Sequence, residues 1–155
     1  MTHQDQVTAA PRNKQKGFTL LEIVIAIAIV AMLAAFILPG LLQNKEDAKF
    51  SAALTQLQKD FPSAITRQVS RTNQCSTAVV TKSLLEARGL PSFTVWNTGW
   101  TVSNVSTNQV TINYTIDSTD QATASNLATA LNQSNNVQSA LATANASVTV
   151  VYRCN

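Results

Sequence analysis

Residues 18–38 form 21 consecutive positions with only two polar side chains, Thr19 and Glu22. An apolar run of this length predicts a helix that is greasy on every side. At about 1.5 Å per residue it is roughly 32 Å long, which matches a hydrocarbon core of about 30 Å. Pro39 and Gly40 follow directly. Proline removes a backbone donor and crowds the preceding turn, at about 3 kcal/mol inside a helix, and glycine adds roughly 1 kcal/mol. Together they predict a helix break or a kink as the chain leaves the apolar run.

Past Gly40 the pattern becomes amphipathic. Phe50, Leu54, Leu57, Phe61, Ile65 and Val69 recur every three to four residues, with Lys49, Gln56, Lys59, Asp60, Arg67 and Arg71 between them. That is one apolar stripe on a helix. The stripe stays in phase across Pro62, which therefore bends the helix rather than ending it. One helix from Phe18 to about Arg71 is roughly 80 Å long. Residues 81–88 read as a short helix stopped by Gly89. Residues 93–97 and 100–105 alternate on either side of Thr98-Gly99 and predict a hairpin. Val110, Ile112, Tyr114 and Ile116 give residues 109–116 one apolar face. Residues 117–120 read as a loop and cap, 121–132 as a weak helix, 137–144 as a second short helix and 147–153 as a closing strand. The fold class is α+β, with an antiparallel sheet of about four strands on the second half of the long helix. Some 110 residues suffice for one modest core.

Glu22 is the anomaly of the apolar run. A carboxylate in hydrocarbon costs about 3 kcal/mol even on the gentler insertion scales, so it persists where it finds a partner. Arg12, Lys14 and Lys16 precede the run against the single acid Asp5. Basic flanks stay cytoplasmic, which puts the first 17 residues inside and everything after Leu38 on the exported side. A secretory signal peptide cut near Ala34 or Ala35 fits poorly, because the run is too long and Glu22 is out of place in it. An inert anchor fits the length but leaves Glu22 unexplained.

The segment Lys16-Gly17-Phe18-Thr19-Leu20-Leu21-Glu22 resembles the processing site of class III signal peptides in type IV prepilins and pseudopilins. The resemblance is strongest over residues 16–40. It implies that a prepilin peptidase cuts between Gly17 and Phe18 and N-methylates the new amine of Phe18. It makes Glu22 the assembly residue, and Pro39 the helix-breaking proline that many members carry. The domains it implies are a leader over 1–17, a transmembrane and assembly helix over 18–40, and an exported globular domain over 41–155. A bared amine on Phe18 would be a mismatched charge at a helix N-terminus, and a carboxylate neutralises it. Glu22 of a neighbouring copy would set axial register in doing so; Glu22 of the same copy lies one turn away. The function implied is a type IV pilus subunit, single-pass in the inner membrane and then extracellular. The fibre would serve adhesion, twitching motility, DNA uptake or conjugation. A pseudopilin of a type II secretion system is the alternative, and a tethered adhesin that never polymerises is the alternative of another class. Phe18 at the processed N-terminus is similar to the type IVa group, whereas the 17-residue leader and the helix within the sheet region are similar to type IVb. The implied partners are the peptidase, further copies of the chain, an inner-membrane assembly platform and minor pilins.

Two cysteines, Cys75 and Cys154, both fall on the exported side, and an even count in an oxidising compartment predicts a bridge. Many pilins enclose only a C-terminal loop with theirs, so this spacing departs from that pattern. The basic balance belongs partly to the leader: without it, eight Lys and Arg face seven acids. That removes the general argument for nucleic acid, and a local patch at Arg67, Arg71, Lys82 and Arg88 is first a solvated face. Trp96 and Trp100 fill a buried hairpin face more readily than an exposed binding patch. Asn104, Asn113, Asn132 and Asn145 head Asn-x-Ser/Thr triplets, expected by chance in so Asn-rich a segment. The only histidine is His3, and no Cys/His cluster, phosphate loop, acidic calcium site or nucleophile–base set is visible. The chain reads as a non-enzyme without metal or cofactor.

Overall fold

The computed structural model describes residues 18–117 and 120–154, so the basic N-terminal segment expected to be a leader, with Gly17, lies outside the described residues. The chain divides at Leu42 and Gln43 into two units. In the first, helix α1 (Leu20–Thr55) starts two residues after Phe18 and continues past Pro39 and Gly40 into the second. In the single chain the helix runs on through Pro39 and Gly40. Loss of one donor at a proline removes one helical hydrogen bond, and the flanking turns hold. From Phe18 to Leu38 nearly every side chain is exposed, Phe18 at 78% and Leu20 at 83% among them. A helix apolar on every side and left exposed by the described residues needs lipid or other helices around it. Its length and apolarity are those of a membrane-crossing helix.

The second unit carries the core. Here α1 passes into a π-helical turn, Gln56–Asp60, and then α2 (Phe61–Thr72). The stripe read from the sequence is the buried face: Leu57, Phe61, Ile65 and Val69 are buried, and Phe50 and Leu54 partly so. The π-turn arises at Pro62. The Phe61 N–H reaches back to the Gln56 carbonyl, and Pro62 has no N–H to offer Gln58. The carbonyls of Leu57 and Gln58 are thus both released. Tyr152 donates its hydroxyl to Leu57 O at 2.8 Å, and Asn136 donates Nδ2 to Gln58 O at 3.0 Å. Pro62 bends the ladder as expected, and the C-terminal half of the chain satisfies what it frees. Tyr152→Phe should cost about 1–3 kcal/mol, because it strands a buried carbonyl while keeping the ring. A urea midpoint unchanged from wild type would refute that role.

Helix α3 (Lys82–Glu86) is capped by Thr81, whose Oγ1 accepts from Leu84 N at 3.4 Å. Gly89, at φ +102°, ends that turn, and the Leu90 N–H bonds back to Leu85 O at 3.3 Å. The sheet follows: β1 (Trp100–Ser106), β2 (Gln109–Thr115), β3 (Ser139–Thr143) and β4 (Ser147–Arg153), antiparallel throughout in the order β1-β2-β4-β3. Helix α4 (Gln121–Leu131) joins β2 to β3. Asp120 caps it, accepting from the Thr123 N–H and hydroxyl, and these bonds hold its carboxyl below the usual range. Trp100, Val110, Ile112, Tyr114, Val148, Val150 and Tyr152 are the buried face of the sheet. Phe61 is at the centre of this layer, 4.9 Å edge-on to Trp100 and 6.3 Å stacked on Tyr152.

Two expected elements differ. Residues 93–97 form no strand: a single bridge joins Phe93 to Gly99, and the hairpin is instead β1–β2, with Ser106 opposite Gln109. The Thr94 hydroxyl accepts from the N–H groups of Trp96 and Thr98, both at 3.3 Å, which ties the segment into a loop. The second short helix expected at 137–144 is the edge strand β3. Helix propensity in Ala140 and Ala142 yields to the free side of β4 and to Asn132. That side chain donates to Ala140 O at 2.8 Å and accepts from Ala140 N at 2.7 Å.

Candidate processing and assembly site

The start of α1 is built as a helix N-terminus. Thr19 is its cap: its Oγ1 accepts from Glu22 N at 3.3 Å and its carbonyl accepts from Ile23 N at 3.2 Å. Thr-x-x-Glu ahead of an apolar run is the sequence of a capping box, a signal that the reading of Glu22 as a membrane anomaly passed over. Glu22 stands exposed in the first turn, where a carboxylate complements the partial positive charge of the helix end. Phe18 precedes the helix, exposed and outside regular structure. The Gly17–Phe18 bond therefore has its described side at an accessible, non-helical residue.

Cys75 and Cys154 form a disulfide with Cα atoms 6.1 Å apart. Cys154 directly follows β4, and its N–H bonds to Asn108 O at 2.9 Å in the β1–β2 turn. The bridge ties the end of β4 to the segment just beyond α2. Of the four cations read as one patch, Arg67 and Arg88 line one cavity, and Lys82 lies apart from them. Lys82 lies 5.1 Å over the ring of Trp100 and 3.8 Å from Glu86, whereas Arg88 donates Nε to Gln68 Oε1 at 2.9 Å. Trp100 is buried and donates Nε1 to Pro91 O at 2.7 Å; Trp96 is half-buried, edge-on to Tyr114. Neither belongs to an exposed aromatic patch. Burial pushes the Tyr114 hydroxyl up to about 12 and raises that of Tyr152 as well. Both are therefore neutral donors, to Gln56 Oε1 at 2.8 Å and to Leu57 O, and structural in role.

An exposed apolar helix with this capped start, continuing into a helix packed on a four-stranded antiparallel sheet, defines a pilin-like subunit. Residues 12–38 match the family described as the prokaryotic N-terminal methylation motif, the motif of prepilin peptidase substrates. The N-terminal segment thus carries the motif of class III signal peptides, which type IV prepilins and pseudopilins share. It is similar to type II secretion system core protein G of Vibrio cholerae serotype O1, 48% identical over 45 residues, which is 29% of this chain and 31% of the relative. The protein of the same name in Escherichia coli K12 is 44% identical over 45 residues (29% and 31%), and that of Aeromonas hydrophila 39% over 46 residues (30% and 32%). The chain thus matches about three-tenths of the length of these curated relatives. No solved structure gives a significant match.

Proposed function

We propose that the chain is a pseudopilin-type subunit of a type II secretion apparatus. It is cut by prepilin peptidase between Gly17 and Phe18, methylated on the Phe18 amine, and drawn from the inner membrane into a short helical fibre by an assembly platform. The observation that carries this is the match of residues 12–38 to the methylation motif, together with relatives that are secretion-system core proteins. That favours the alternative of the sequence reading over a surface pilus. In this scheme the leader stays cytoplasmic, α1 is held first by lipid and then by sister helices, and the sheet unit is exported. The type IV pilus is the second reading, because the Cys75–Cys154 bridge suits an exported fibre surface in an oxidising environment.

The test is intact mass and N-terminal analysis in two fractions, membranes and material sheared from cells. A chain beginning at N-methylated Phe18, retained with the envelope and needed for release of an exported protein, supports the pseudopilin. The same processed chain abundant in the sheared fraction makes it a pilus subunit. A chain still carrying its leader, or cut near Ala35, overturns both.

A further inference from the structure

Among the cations of the second unit, Lys59, Arg67 and Arg88 converge on one cavity of about 200 Å³, together with Asp60 and Ser63. Three cations face one carboxylate there, and no ion pair joins any of them to an acid among the described residues. Arg88 is held in place: the buried Gln68 accepts from its Nε at 2.9 Å and itself donates to Val79 O at 3.0 Å, leaving the outer guanidinium donors free. A fixed guanidinium beside two further cations is a ready receptor for a carboxylate.

The complementary acid is on the same chain. Glu46 is taken by Lys49 at 2.8 Å, which leaves Asp47 as the exposed acid of that turn without a partner among the described residues. Lys45, two residues away, projects from a different side of the helix. Asp47 precedes Lys59 by 12 residues, about 18 Å along the helix, so it does not reach the pocket of its own chain. A second copy displaced along the helix axis brings its Asp47 to that pocket. Each copy then offers one acid and one receptor at different heights, a head-to-tail contact that propagates instead of closing on itself.

We infer that the Lys59–Arg67–Arg88 pocket receives Asp47 of a second copy of this chain and sets the axial step between exported units. This contact rests on the fibre-forming reading. Its test is charge reversal in the full-length chain, with melting temperature and an intact Cys75–Cys154 bridge as controls for folding. Arg67→Glu with Arg88→Glu should lower the yield of assembled fibre by roughly tenfold or more, since like charges are then opposed. Adding Asp47→Lys should restore most of that yield. Wild-type yield from the double variant, or no recovery in the triple variant, overturns the contact alone. Absence of fibre from the wild-type chain overturns the fibre reading and the contact with it.

Discussion

Glu22→Ala should abolish fibre assembly while the processed subunit accumulates in the membrane at its normal level. On the proposed function, cleavage leaves a positive amine on Phe18 at a helix end that already carries partial positive charge. Thr19 supplies the cap, so the helix itself survives loss of the Glu22 side chain. What is lost is the counter-charge once that amine is packed among sister helices. An unpaired charge in hydrocarbon costs about 3 kcal/mol, and even 2 kcal/mol per added subunit is roughly a thirtyfold rise in the concentration needed for growth. Glu22→Gln should behave alike, because it keeps the shape and drops the charge. Quantifying the subunit in membrane and assembled fractions decides it. Normal fibres from either variant would reduce Glu22 to a capping residue.

Replacing Cys75 and Cys154 together by serine should destabilise the sheet unit by about 4 to 5 kcal/mol in the chain-entropy estimate, a large share of the stability of a domain this size. The bridge spans a sequence separation of 79 and closes over all four strands. It also clamps the end of β4, whose Val148, Val150 and Tyr152 are buried against the helix stripe. Urea unfolding of the oxidised wild type against the double-serine variant measures this. A loss under about 1 kcal/mol would mean that the reduced chain already holds its C-terminus near α2 before folding.

Much of this architecture is legible wherever one pattern dominates. The stripe from Phe50 to Val69 keeps one helical phase, and β2 and β4 alternate cleanly, so all three were readable. The Thr-x-x-Glu signal at Thr19 is equally plain, and Glu22 there is at once the N3 position of a capping box and a costly charge in hydrocarbon. Other features depend on partners distant in sequence. Ala140 lies in a strand because Asn132 and β4 hold it there, against its own propensity. Thr94 turns a would-be strand into a loop through one hydroxyl. The convergence of Lys59, Arg67 and Arg88 joins two helical turns to the end of α3, and no local period reports such a meeting.

The place of β4 in the sheet carries a consequence for biogenesis. It follows the other three described strands in sequence, yet it lies between β2 and β3, and its Tyr152 reaches a carbonyl 95 residues earlier. Synthesis runs from the N-terminus, so the β1–β2 hairpin and α4 exist for a time with an open sheet edge and an unfilled core. Neither β3 nor the π-turn at Leu57 finds its partner until β4 emerges. Completion of the domain is thus timed by the arrival of β4, and a subunit lacking that strand would stay open and be visible to proteolysis.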